Sequence, residues 1–150
     1  MIRIETTTDF DFIRCCITHP RIWPHVSCDG IDDLPDDISS SWFVEAIDGG
    51  DRLGVFLLHV HNPILVEIHT ALLPSAWGAS ANKAAHALLR FLAEQGFKKA
   101  MTYVPSNNPL ALRFARGAGM AQEGMLTNSY PKNGVLLDQH ILGVCLCQQQ

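Results

Sequence analysis

Apolar residues change their spacing several times along this chain, and each change marks an element. Ile2 and Ile4 alternate with Arg3 and Glu5, which predicts a short strand. Thr8 or Asp9 then caps an amphipathic helix running to about Ile17, and His19-Pro20 ends it. Between Arg21 and Ser40 the periodicity lapses. Pro24, Gly30, Pro35 and several aspartates predict a long irregular segment, the kind of loop that often carries function. Strands return at Trp42 to Ile47 and Leu53 to His61, joined by Asp48-Gly49-Gly50-Asp51, and again at Leu65 to Leu73 after an Asn62-Pro63 turn. These three form an antiparallel meander.

The spacing then switches to a period of 3.6. Ala81, Ala84, Ala85, Leu88, Leu89 and Leu92 fall on one helical face, and Lys83, His86, Arg90 and Glu94 fall on the other. Gly96 closes this helix. Ala100 to Val104 is a short apolar run bounded by Pro105, so strand, helix and strand make a right-handed crossover with parallel strands. Asn108-Pro109 opens another helix, with Asn as cap and Pro at the first position, running to Gly117 or Gly119. Strands at Gln122 to Leu126 and Val135 to about Cys145 follow, linked through Pro131-Lys132-Asn133-Gly134. The order is β, α, long loop, βββ, α, β, α, ββ, and the sheet is mixed.

Composition narrows the classes. A chain of 150 residues, 47% hydrophobic and 17% charged, is one domain with a real core, able to bury roughly 70% of its unfolded surface. A net charge of -4 leaves no basic field for nucleic acid. No apolar run approaches the ~20 residues of a membrane span, and Met1 to Glu5 does not read as a signal peptide, so a soluble cytoplasmic protein is expected. Five cysteines fit a reducing compartment, and Cys145-x-Cys147 reads as strand packing because no second Cys pair or nearby His completes a zinc set.

One stretch carries the chemistry. His69-Thr70-Ala71-Leu72-Leu73-Pro74 leads into Ser75-Ala76-Trp77-Gly78-Ala79-Ser80-Ala81-Asn82-Lys83, and Asn108-x-x-Ala111 and Gly119-Met120-x-x-Glu123-Gly124 lie downstream. With the order of elements, this resembles the GNAT acetyltransferase superfamily over nearly the whole chain, within it the branch acting on protein N-termini and ribosomal proteins and short phage-encoded relatives. The resemblance implies an α+β fold: a mixed, mostly antiparallel twisted sheet of six or seven strands with helices on both faces. It implies acetyl-CoA as acyl donor and a primary amine, on a protein or a small molecule, as acceptor. Where the family loop carries Arg or Gln, then Gly, then Gly or Ala, this chain carries Trp77, Ser80 and Asn82.

A helix N-terminus offers unsatisfied N–H groups and partial positive charge, and small side chains let a phosphate approach. Gly78, Ala79, Ser80, Ala81, Asn82 and Lys83 supply that pattern, provided the Asn82 side chain turns away. By family position, Thr70, Ala71 and Leu72 line the pantetheine arm, the N–H near Leu72 polarises the thioester carbonyl, and Asn108 contacts the cofactor as well as capping its helix. Glu67 and His69, at i and i+2 of one strand, face one side and are the candidates to take a proton from the amine. A carboxylate among apolar neighbours is a stronger base than one in water. The tyrosine with which the family often protonates the leaving sulfur maps to Ala115, leaving water, Ser129 or Tyr130 to substitute. The segment with Trp23, His25, Asp29, Asp32 and Asp33 is expected to border the acceptor site.

Two other readings compete. Loss of the tyrosine and the altered loop suit a CoA-binding module without turnover. His59, His61, Glu67 and His69 on adjoining strands suit a metal site, unless the Asn62-Pro63 turn places the two pairs on opposite faces. Oligomeric state stays open between monomer and homodimer.

Overall fold

The computed structural model describes residues 1–146. Seven strands form one sheet: β1 (Ile2–Thr6), β2 (Trp42–Asp48), β3 (Asp51–Asn62), β4 (Leu65–Leu72), β5 (Lys99–Pro105), β6 (Ala121–Lys132) and β7 (Val135–Cys145). They lie in the order β1-β2-β3-β4-β5-β7-β6. All neighbours are antiparallel except β4 and β5, the pair joined by a helical crossover. The mixed sheet expected from the pattern is therefore present, with seven strands.

Helices α1 (Phe10–Ile17), α2 (Trp23–Val26), α3 (Ala79–Glu94) and α4 (Pro109–Gly117) complete the fold. Asp9 caps α1 by accepting the Phe12 amide at 3.2 Å, and Asn108 caps α4 by accepting that of Ala111 at 3.1 Å. The core has two parts because the sheet has two covered faces. On one, α3 buries its Ala/Leu stripe with Val44, Phe56, Val66, Ile68, Ala100 and Leu142, joined by Ala115 and Ala118 at α4. On the other, Ile13 and Cys16 of α1 pack on Phe43, Val55 and Ala71. Strand alternation sorts the residues: Val66, Ile68 and Leu72 face α3, whereas Glu67, His69 and Ala71 face the α1 side.

An ion network pins α1 to the sheet. Arg52 donates from Nε and Nη2 to both oxygens of buried Glu45 at 2.7 and 3.0 Å, and from Nη1 to Asp9 at 3.0 Å. Its guanidinium also stacks 3.6 Å from the Phe12 ring centroid.

Several expectations need correction. The segment from Arg21 to Ser40 contains the short helix α2. β6 runs through Pro131 to Lys132, so the hairpin turn holds only Asn133 and Gly134. β6 is an edge strand, where a residue without an N–H is tolerated. Bulges at Gln122/Gly124 and Leu126/Tyr130 absorb its extra residues. Cys145 is exposed at the end of β7, and Cys147 lies outside the described residues.

Candidate active site

The site begins where β4 and β5 part. They pair at Leu65↔Lys99, Val66↔Ala100 and Glu67↔Met101, and the Thr102 hydroxyl then donates to the Ile68 carbonyl at 2.9 Å. No strand pairing follows. Beyond it, β4 stays on β3 as far as Gly54↔Leu72, so its other edge faces a gap. The Leu73 amide donates to Leu53 on the β3 side, and Ile68 offers its carbonyl on the β5 side. Alternation therefore turns the main-chain groups of Thr70 and Leu72 into the gap, whereas Ala71 presents its own to β3 and packs its side chain under α1. The Leu72 carbonyl accepts the Trp77 indole N–H at 2.9 Å. Its amide has no partner in the gap among the described residues.

Gly54 makes this geometry tight. A Cβ on Gly54 would stand 2.5 Å from the Ala71 carbonyl oxygen and 2.6 Å from Leu72 Cα, and its φ of +139° disfavours any other residue. The close approach fixes the end of β4, from which the chain turns through a 3-10 turn at Pro74–Ala76 into α3.

The turn into α3 is open. Gly78, at φ +98°, is the N-cap and supplies no side-chain cap. The Asn82 amide already bonds the Gly78 carbonyl at 3.1 Å, but the amides of Gly78, Ala79, Ser80 and Ala81 have no protein acceptor among the described residues. Gly78, Ala79, Asn82 and Lys83 are exposed, Ser80 is half-buried and Ala81 is buried. Trp77 is 44% exposed and folds back toward Leu72, where the Arg21 guanidinium lies 4.9 Å from its ring centroid. The Asn82 side chain leans toward α4, its Oδ1 3.5 Å from where a Cβ on Gly117 would stand. A run of free N–H groups at positive helix-dipole potential, flanked by Lys83, is an anion cradle. On α4, the Asn108 oxygen is committed to its cap.

On the α1 face, Glu67 is buried between two imidazoles. His61 Nε2 hydrogen-bonds Oε1 at 2.8 Å, and His69 Nε2 stands 2.5 Å from Oε2. His59 lies edge-on to His61, with ring centroids 4.7 Å apart. All four residues share one face: His59 pairs directly with Glu67, His69 lies two residues along the same strand, and His61, the extra residue of the bulge between Val60 and Asn62, reaches Glu67 Oε1. The turn does not separate the pairs, contrary to the sequence-based objection to a metal site. Even so, among the described residues no group of three or more His, Cys, Asp and Glu side chains is arranged to hold a metal ion. The Nε2 atoms of His61 and His69 are spent on a carboxylate instead of converging on a point.

Glu67 and His69 open onto a groove of about 660 Å³ lined also by Ser40, Ser41, Trp42 and His59. The irregular segment before it is bound at two places, to α1 and to the β6–β7 hairpin. Arg14 Nη2 donates to the carbonyls of Pro35 and Asp36, the latter at 2.7 Å. Asp29 accepts the amides of Asn133 and Gly134 at 3.0 and 2.9 Å, and Lys132 Nζ donates to the Pro24 and Ser27 carbonyls at 2.7 Å each. Those amide bonds, Gly134 first, hold the Asp29 carboxyl below the usual aspartate range. Asp29 thus fastens the hairpin tip, and none of Trp23, His25, Asp29, Asp32 and Asp33 lines the groove.

Tyr130 pairs with Leu137 on the same face as Glu67. Burial chiefly, with Cys28 and Asp29 nearby, pushes its phenol above the usual value, so it keeps its proton at neutral pH. The Ser129 hydroxyl donates to the Leu126 carbonyl and accepts from Gln139. Ala115 is buried in the core. Sequence reasoning overlooked Tyr103, which lies two residues beyond the last β4–β5 pair and on the face of Met101 and Glu67. Strand alternation from Met101 was the available clue.

Searched against protein-family models, the chain matches none, and no curated protein matches it significantly. Solved structures do. A spermidine N-acetyltransferase from Vibrio cholerae, in complex with CoA and spermine, superposes with a TM-score of 0.80 at 15% identity over 99% of this chain and 97% of that one. A probable GNAT-family acetyltransferase from Chromobacterium violaceum gives 0.75 at 18% identity over 98% and 84%. A GNAT-family acetyltransferase from Bacillus anthracis gives 0.62 at 19% over 69% and 66%. At such identities the likeness speaks for architecture. With the parted β4–β5 pair and the open turn into α3, it shows that this chain carries the GNAT acetyltransferase fold.

Proposed function

We propose that this chain is an N-acyltransferase that moves an acetyl group from acetyl-CoA directly to a primary amine. The observation that carries the reading is the run of unpartnered amides at Gly78, Ala79, Ser80 and Ala81, lying at the end of a strand whose free edge faces a gap. A pyrophosphate placed on those amides, with Lys83 beside it, puts an extended thiol-bearing arm along Thr70 and the Leu72 amide, which face the gap, while the Leu72 carbonyl is held by the Trp77 indole. The Leu72 amide then faces the thioester carbonyl and stabilises the oxyanion. The groove across the sheet from the cofactor turn leads an amine to Glu67 and His69. Asn108 and Asn82 border the cofactor through the sides of their carboxamides left free.

The chemistry balances. An ammonium gives one proton to the Glu67–His69 pair, and the nitrogen lone pair attacks the thioester carbon. The C–S bond breaks as the C=O bond re-forms, and the proton still carried by the nitrogen passes to sulfur, giving an amide and free CoA thiol. Tyr130 and Tyr103, on the same face, are the side chains available to ease that last transfer, the role Ala115 cannot fill. A second reading, a CoA-binding module without turnover, is favoured by that alanine.

Incubation with acetyl-CoA and a panel of peptide and small-molecule amines, following free thiol, tests the function. Amine-dependent thiol release is expected. CoA binding without release across the panel supports the module instead, and no CoA binding removes both readings.

A further inference from the structure

Glu67 is held in a way that divides the work between it and its neighbours. Its side chain is 11% exposed, and each carboxylate oxygen faces a different imidazole Nε2, His61 on Oε1 and His69 on Oε2. A carboxylate only accepts, so the His61 ring, which hydrogen-bonds Oε1, carries its hydrogen on Nε2. The His69 Nε2 stands in ion-pair contact with Oε2, an approach that a bare ring lone pair would oppose, so its hydrogen also belongs on Nε2 and Nδ1 keeps the lone pair. Placing a proton on Glu67 would set a new hydrogen against a ring N–H already there. His69 is 48% exposed and lines the groove, whereas His61 is 34% exposed, does not line it, and is braced edge-on by His59. No protein partner engages His69 Nδ1 among the described residues.

Building on the acyltransfer reading, we propose that His69 Nδ1 is the atom that takes the amine's proton. Glu67 acts through it as a positioning residue that fixes the ring's tautomer and stabilises the imidazolium. His61 is a second positioning residue, holding the far carboxylate oxygen so that Glu67 cannot swing away from His69. The arrangement follows the logic of a carboxylate that orients a histidine base without itself becoming protonated. One proton passes from ammonium nitrogen to Nδ1, and the free amine attacks. After product leaves, Nδ1 returns the proton to water.

Two measurements test this, and the first needs no turnover. Long-range ¹H–¹⁵N imidazole spectra of the unliganded protein should show neutral His69 and His61 as Nε2–H tautomers, with the His69 preference lost in Glu67→Gln. A His69 ring protonated at Nδ1 in its neutral form overturns the proposal, whatever the enzyme's activity. In kinetics, His69→Ala should lower kcat by about 10²- to 10⁴-fold with little change in the KM for acetyl-CoA. The Glu67→Gln/His69→Ala double variant should fall no further than His69→Ala alone. His61→Ala should lose activity that His61→Gln, which still offers an N–H to Oε1, largely recovers. Full activity in His69→Ala alongside loss in Glu67→Gln would make Glu67 the base and overturn the assignment. A wild type that never releases thiol would count against the acyltransfer reading alone, since the tautomer spectra still decide the geometry.

Discussion

Single residues here are set by their immediate surroundings more than by their type. Cys15 and Cys16 are neighbours, yet Cys15 is exposed while Cys16 is fully buried beneath α1, where burial, then the adjacent Cys15, pushes its thiol up to about 12. At pH 8 Cys16 is almost entirely a thiol and unreactive. Iodoacetamide labelling of the native protein followed by peptide mass mapping should modify Cys15 and spare Cys16 until denaturant is added. Equal labelling would mean that α1 is not seated on the sheet. Glu67 shows the same lesson at the site. Sequence alternation placed it and His69 on one face, but the match of its two oxygens to two rings depends on a bulge at His61 that no local pattern announces. Tyr130 was a sequence candidate for the missing tyrosine, whereas Tyr103 was not, because a strand tyrosine does not declare which gap it borders.

Elements were more legible, for a physical reason. The α3 stripe, the caps at Asp9 and Asn108 and the alternating strands are local, so propensity and packing agree on them. What failed were features settled by distant partners. β6 extends through Pro131 because β7 supplies its other side. The irregular segment is ordered by residues about a hundred positions away, through Asp29 and Lys132. Its ordering has a pH signature. Asp29 has a folded pKa lowered from 3.8, so the clamp contributes fully above that value and is lost as pH falls through the lower one. Asp29→Ala should therefore melt below the wild type at pH 7, with the gap closing as pH drops below 3.8. A gap independent of pH would show that the carboxylate is not the active partner. Gly54 tests the β3–β4 contact. Gly54→Ala, which drives a methyl into the Ala71 carbonyl, should cost about 1–3 kcal/mol in chemical denaturation, the usual range for overpacking, and weaken CoA binding with it. Undiminished stability would mean that β4 yields easily and that its end is not held for a ligand.

At the scale of the molecule, the sheet is a frame that separates two tasks. The α3 side and the parted edge of β4 carry the proposed cofactor site, and the α1 side carries the Glu67 cluster and its groove, the proposed site of proton transfer. The divergence of β4 from β5, whose pairing ends at Glu67↔Met101, lies between them. No helix among the described residues is long and apolar enough to cross a membrane. The order of elements and the small residues around Gly78 made this turn stand out in the sequence as the candidate cofactor turn, even though Trp77, Ser80 and Asn82 depart from the usual loop. What the sequence could not display was that the four amides are unspent and that Trp77 folds away from them.

Calorimetric titration of CoA into the wild type and Gly78→Glu asks directly whether those amides hold a pyrophosphate. Glutamate there brings a negative charge and a disfavoured φ to the centre of the turn, at a folding cost of roughly 1–2 kcal/mol that melting would register separately. Micromolar-range binding to the wild type and none to a folded Gly78→Glu is the expected result. Failure of the wild type to bind CoA, or equal binding by both proteins, would contradict the account.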